Sequence, residues 1–249
     1  MSVARSASEI EKLRQETEEQ QRREEKARKK AARKAWWAAW RKRYLDALRY
    51  TFHVITHPFD GFWDLVHEKR GTLAAANTFL ILFLLTRVIK LMCTSFQFIS
   101  APVQYINVFE EMGSLLLPFI ILCLANWAMT TLFDGKGRFI DIWIAMCYAL
   151  VPYVLIQLPM TFISNALTYD EGSFYSVLLG VSVVWSVFLI FVGLMEVHDY
   201  GPGKTFIFII VTIVGACVIL FLMLTFFSLL SDAAAYFISL YREIVFRLN

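Results

Sequence analysis

Gly201-Pro202-Gly203-Lys204-Thr205 carries the end of a phosphate-cradling loop, in which backbone N–H groups and a lysine hold nucleotide phosphates. Such a loop needs another glycine five positions before Gly203, and His198 stands there. A long apolar run precedes it where the loop requires a strand, so the five residues are read as a tight turn. His67-Glu68 begins a zinc-protease HExxH pattern, but Gly71 occupies the place of the second histidine. The four histidines, at 53, 57, 67 and 198, form one helical i,i+4 pair, His53/His57. Asp60, Asp64, Asp134, Asp141, Glu196 and Asp199 carry the carboxylates that would complete a metal site with His57, His67 or His198. Hydrogen bonds and ion pairs among loops are the better expectation for these residues, and no metal or other cofactor is expected.

Arg87 and Lys90 interrupt an apolar run that starts near Thr72. At 1.5 Å per residue they lie roughly 22 and 27 Å into a helix, close to the far boundary of a ~30 Å hydrocarbon core. Snorkelling outward, with pairing to Glu110, Glu111, Asp170 or Glu171, would avoid most of the burial cost. The remaining polar groups within apolar runs are few, chiefly Asn77, Asn126 and Gln157. Proton pumps and many transporters need carboxylates at mid-membrane depth, and none occurs there. No Ser/His/Asp set or Cys/His pair can be placed either. Cys93, Cys123, Cys147 and Cys217 lie singly in apolar runs and read as free thiols packed as small hydrophobes. Catalysis is not expected.

The elements that position these groups follow from composition. Of 249 residues, 58% are hydrophobic and 18% charged, against about 25% charged in soluble domains. Charge is uneven. Residues 1–50 hold 15 of the 24 Lys+Arg and 8 of the 21 Asp+Glu, a local net of +7, and the rest carries a net of −4. A soluble globule, a disordered chain and a disulfide scaffold are excluded. No apolar core follows the first basic residues, so a secretory signal peptide is not expected.

Residues 1–35 are a charged arm, helical or disordered, in which apolar heptad positions do not persist beyond Ile10 and Leu13. Lys29, Lys30, Arg33 and Lys34 are followed by Trp36, Trp37, Trp40, Arg41, Lys42, Arg43 and Tyr44. Trp36, Trp40, Tyr44, Leu48 and Phe52 recur every four residues and would form one stripe on a helix. Aromatic residues at headgroup depth beside clustered bases predict a helix lying on anionic lipid. The same composition can bind nucleic acid, but in a membrane-embedded chain that partner is not expected. Pro58 and Gly61 then break the helix within an interfacial segment that ends at residue 70.

Five apolar runs of bilayer-spanning length follow, near 72–96, 113–133, 140–163, 174–195 and 205–230. Residues 97–112 contain Glu110 and Glu111 without Lys or Arg, and 134–139 carry Lys136 and Arg138. Residues 164–173 carry only Asp170 and Glu171, and 196–204 carry Lys204. Basic residues alternate with the crossings, which predicts a cytoplasmic N-terminus and an outside C-terminus. Ser176/Gly180 and Ser182/Ser186 are small-residue pairs suited to close helix packing, and Pro152 and Pro159 can kink the third span. At the end, Phe237, Leu240, Tyr241, Ile244, Val245 and Leu248 oppose Ser239, Arg242 and Glu243, which predicts an amphipathic helix on the outer surface or against the bundle.

The run His57-Pro58-Phe59-Asp60-Gly61-Phe62-Trp63-Asp64-Leu65-Val66-His67-Glu68-Lys69-Arg70-Gly71 resembles the bacterial branch of the Yip (Ypt-interacting protein) domain family. So do Ala125-Asn126-Trp127, Phe133-Asp134-Gly135-Lys136-Gly137-Arg138-Phe139 and Glu196-Val197-His198-Asp199-Tyr200. The resemblance covers about residues 57–231 and implies five membrane helices with a cytoplasmic N-terminus. Eukaryotic relatives act in vesicle traffic with Rab-type GTPases, a role not carried across to a bacterial-looking chain. Some bacterial relatives are encoded beside sugar-uptake ABC transporters. Neither the arm nor the tail is explained by the resemblance.

The expected architecture is all-α: a five-helix transmembrane bundle with a charged, interfacial N-terminal helix and an amphipathic C-terminal helix. The divisions are 1–35, 36–70, 71–231 and 232–249. The expected function is a non-enzymatic adaptor or accessory subunit in a bacterial cytoplasmic membrane, for instance beside a sugar-uptake ABC transporter. His57, Asp60, Asp64, His67, Asp134, Lys136, Arg138, Asp141, Glu196, His198 and Asp199 are its candidate docking residues. The alternative is a small transporter or channel whose path is lined by Arg87, Lys90, Asn126 and Gln157.

Overall fold

The computed structural model describes residues 2–98, 107–132 and 135–248, nearly all of them helical. Residues 1–48 and 49–249 form two compact units. Helix α1 (Ser2–Thr56) makes up the first and enters the second. No Gly or Pro precedes residue 58, so nothing interrupts its hydrogen-bond ladder. The division expected at residue 35 therefore marks a change of composition within one helix. In the first unit Lys29 pairs with Glu25 one turn earlier at 2.5 Å. Trp36, Trp37 and Trp40 meet edge to face at 5.1 and 5.6 Å, and Trp40 stacks on Tyr44 at 5.4 Å.

The second unit contains the end of α1, then α2 (Pro58–His67), α3 (Leu73–Cys93), α4 (Val108–Leu132), α5 (Phe139–Ala149), α6 (Val151–Ile163), α7 (Gly172–His198) and α8 (Pro202–Leu248). Short 3-10 turns lie at Phe96–Phe98 and Tyr169–Glu171. Among the described residues, five helices are long and apolar enough to cross a bilayer: Leu73–Cys93, Val108–Thr131, Phe139–Ile163, Tyr169–His198 and Pro202–Glu243. They correspond to the five apolar runs.

The α1–α2 corner follows from two residues. Pro58 occupies the first position of α2, where its missing N–H is not needed. Gly61 lets α2 fold back onto α1, because a Cβ there would stand 2.7 Å from the Val54 Cα. α2 buries Phe62 and Leu65 and leaves Phe59 and Trp63 exposed. Phe62 lies against Gly193 of α7, whose missing side chain makes room for the ring.

The third span is central. α5 packs against α2, α3, α4 and α7 and buries Ile142, Ala145, Cys147, Tyr148 and Ala149. The Phe79 ring meets Tyr148 edge to face at 5.0 Å. The span is broken at Leu150, just before Pro152, which lacks the N–H a continuous helix would need. α4 begins at Val108, ahead of the apolar run, and places Glu110 and Glu111 in its first turn, where the helix dipole favours acids. The tail is helical and continues unbroken from the fifth span, as the end of α8, to Leu248. No Gly or Pro follows Gly215, and Ala233-Ala234-Ala235 favours helix where a bend would be required.

Candidate functional site

One end of the bundle gathers α2, the 135–138 loop and the turn after α7. α4 and α7 close in the same way, by a bond across six residues. Gly135 N–H donates to Thr130 O at 2.7 Å, and Tyr200 N–H donates to Met195 O at 3.0 Å. In α7 the left-handed position belongs to Asp199 (φ 53, ψ 40), where glycine is usual. Among the described residues the other non-glycine with positive φ is Lys69, just after α2. Backbone strain of this kind costs on the order of 1 kcal/mol or more and often marks functional positions.

Asp199 uses that conformation to reach two elements. Lys136 Nζ donates to its Oδ2 at 3.1 Å, and His67 Nε2 stands 3.6 Å from Oδ1. His67 stacks on Trp63 and sets Nδ1 3.1 Å from the Trp63 carbonyl. The three side chains form an exposed ledge that joins α2, the 135–138 loop and α7.

A buried chain of hydrogen bonds lies beneath the ledge. The Gly137 N–H donates to His198 Nδ1 at 3.3 Å, which leaves Nε2 as the protonated nitrogen. Nε2–H donates to Asn126 Oδ1 at 3.0 Å, and Asn126 Nδ2 donates to Thr212 Oγ1 at 3.1 Å. His198, Asn126 and Thr212 are all buried. Gly137 is required by this approach, since a Cβ would meet Val197 Cγ1 at 2.5 Å and His198 Cε1 at 2.7 Å. The chain fastens the loop to α4, α7 and α8.

The other candidates make separate contacts or none that joins the ledge. His57 stacks on His53 and sets Nδ1 3.0 Å from Thr56 Oγ1. Asp60 is exposed on α2, and Glu196 is half-buried near the end of α7. Asp64 accepts a 2.8 Å bond from the Tyr50 hydroxyl, with Arg70 Nη1 at 3.7 Å. Burial, and then that bond to Asp64, hold the Tyr50 pKa well above its ordinary value, so the hydroxyl remains a donor. Arg70 binds Glu68 at 2.6 Å and lies over the Tyr50 ring. Arg138 grips Asp141 with two bonds, at 2.9 and 3.3 Å, and its pKa is raised by that contact. Asp134 lies outside the described residues. Tyr50 and Thr212 belong to these networks but carried no local signal in the sequence, and Arg70 and Gly137 were marked only by the family-like motifs. Lys204 stacks on Tyr200 at 4.0 Å, within the turn read from the glycines. Among the described residues no group of three or more His, Cys, Asp or Glu is placed to hold a metal. All four cysteines are free, but only Cys123 and Cys147 are buried; Cys93 and Cys217 are exposed.

The four residues of the transport alternative fall into separate contacts. Arg87 binds Glu111 at 2.6 Å, as the charge pattern suggested. Lys90 departs from the expected outward snorkelling: it turns inward and donates to Gln157 Oε1 at 2.6 Å, because buried Gln157 is held there by Ser182 at 2.8 Å. Asn126 belongs to the His198 chain. By helix rise from the ledge end, Gln157 lies about 27 Å along the third span and Asn126 about 9 Å along the second.

Five apolar helices, the third of them kinked and central, with a polar ledge at one end, define a multi-pass membrane protein. A model of the Yip1 domain matches residues 52–225, and the chain belongs to that family. The match starts in the last turns of α1 and ends within α8, so it includes both the ledge and the buried chain. No curated protein and no solved structure matches the chain significantly.

Proposed function

We propose that this Yip1-family protein is a non-enzymatic adaptor or accessory subunit that docks a membrane-protein partner on the ledge of His67, Lys136 and Asp199. Asp199 is the supporting observation. A strained aspartate stands where glycine would fit, and its carboxylate holds Lys136, whose side chain is 74% exposed, at the surface. Arg87, Lys90, Asn126 and Gln157 already have partners within the bundle. The ledge, by contrast, holds charge accessible at the surface. The loop charges favour a cytoplasmic ledge and N-terminus and an outside C-terminus. The bacterial-type motifs favour a bacterial cytoplasmic membrane, and a sugar-uptake ABC transporter is the first partner to test.

A photocrosslinking residue at exposed Asp60, in native membranes, should yield a discrete adduct with a membrane protein. Asp199→Ala should abolish it at unchanged protein level. Adducts only between copies of the chain, or an adduct indifferent to Asp199→Ala, would overturn the docking surface.

Orientation is tested by thiol labelling in a Cys93→Ser, Cys217→Ser background. Ser173→Cys should react with an impermeant reagent added outside cells, and Gly201→Cys should not; the reverse pattern rejects the topology. Gly201 is suitable because a Cβ there meets nothing, whereas one at Gly135 would stand 2.6 Å from Thr130 Cβ.

On this reading Lys29, Lys30, Arg33, Lys34, Arg41, Lys42 and Arg43 face anionic headgroups, with Trp36, Trp37 and Trp40 at the interface. All of these side chains are exposed. In nanodiscs containing phosphatidylglycerol, Trp36, Trp37 and Trp40 should be quenched by brominated lipid. Raising salt from 0.1 to 1 M, which shortens the Debye length from about 10 to about 3 Å, should reduce that quenching. Quenching unchanged by salt would mean that charge plays no part.

A further inference from the structure

We propose that the projecting end of α8 is a dimerisation element, which pairs in parallel with α8 of a second copy of this chain. The observation is a stripe that outlasts its partner. Ala216, Leu220 and Met223 of α8 pack with Ile121 and Ala125 of α4. The same alternating spacing of four and three continues through Phe227, Leu230, Ala234, Phe237 and Tyr241, and in the sequence through Ile244 and Leu248. Every position in this series is apolar. Asp232, Ser239, Arg242 and Glu243 all fall on the remaining faces, and Arg247 borders the stripe. A strict 3.5-residue repeat is the pattern that lets two helices remain in contact along their length.

α4 cannot cover the outer part. The two helices run antiparallel, joined by the bond between Asn126 and Thr212. Counting outward from that pair brings Val108, the first residue of α4, opposite about residue 230 of α8. Beyond it Phe237 and Tyr241 are 66% and 69% exposed, and Leu230 and Leu240 are also exposed. By helix rise the 47 residues of α8 measure about 70 Å, more than a ~30 Å hydrocarbon core covers, and the last 17 run about 25 Å beyond the start of α4. An apolar face of that length is an interaction surface.

A second copy suits this face better than an unrelated helix. One insertion topology makes all copies parallel and places identical residues at the same height, so the stripes meet in register. Phe237 then faces Phe237 and Tyr241 faces Tyr241, with no charge brought to the seam. The crossing angle of about 20° typical of such packing splays the helices below the contact, where each α4 lies.

The experiment uses the full chain with Cys93→Ser and Cys217→Ser, in vesicles of phosphatidylcholine and phosphatidylglycerol under oxidation. Phe237→Cys and Tyr241→Cys should give a covalent dimer, while Ser239→Cys and Arg242→Cys should give at least tenfold less. Equal yields at all four positions, or none at any, would overturn the proposal. A stop after Asp232 shortens the fifth span but leaves more than the ~20 residues needed to cross a bilayer, and should halve the protein mass measured in detergent. A dimer that survives this truncation also overturns it.

Discussion

His198→Leu should destabilise the protein by about 3 kcal/mol, whereas Asp199→Gly, one residue away, should change stability by less than about 1 kcal/mol. The leucine leaves the buried Asn126 Oδ1 and the Gly137 N–H without partners, and each orphaned group costs roughly 1–3 kcal/mol. Asp199 differs because its conformation is strained. Glycine adopts φ 53 without that strain, which offsets the loss of an exposed ion pair worth at most about 1 kcal/mol. SDS-titrated unfolding in mixed micelles measures both. The functional consequences should be reversed in emphasis: Asp199→Gly removes the carboxylate between Lys136 and His67 and should abolish partner crosslinking while the fold persists. Equal destabilisation by both variants would show that ledge and buried chain form one structural unit with no separable docking role.

The second large effect lies at the other end of the bundle. Gln157→Leu should cost about 3 kcal/mol, because the Lys90 ammonium loses an acceptor held in place by Ser182. Lys90→Met with Gln157→Leu should return stability to within about 1 kcal/mol of the parent. Removing both members of a buried polar pair is far milder than removing one, and the double-mutant cycle isolates their coupling. If Gln157→Leu alone is as mild as the double variant, Lys90 has swung out to water and the inward bond contributes little.

The five crossings were legible because twenty-residue apolar runs leave a bilayer-spanning helix few alternatives. The corner at Pro58 was legible for an equally local reason. Contacts across long sequence separations were not. His198 and Asn126 are 72 residues apart, and each taken alone suggested a different role, docking for one and a solute path for the other. Lys90 was expected to point outward because depth along a helix was known but its neighbours were not. Gln157 and Ser182, which draw it inward, come from α6 and α7. Ledge residues were singled out by charge and loop position, yet nothing local distinguished Asp199 from Asp141. Only the backbone separates them: one carboxylate bridges elements from a left-handed turn, and the other grips the arginine three residues before it.

The Arg87–Glu111 and Lys90–Gln157 contacts also bear on how the chain is made. A cation costs about 2.5–3.5 kcal/mol at the centre of a single helix entering lipid, and less near its end, where Arg87 and Lys90 lie. α3 carries two, and neither acceptor exists when α3 emerges from the ribosome. Glu111 arrives with α4, and Gln157 only with α6. α3 is therefore a poor stand-alone stop in lipid and a good member of a helical hairpin, so its release from the insertion machinery depends on segments not yet synthesised. Assembly of the later helices completes the insertion of the first.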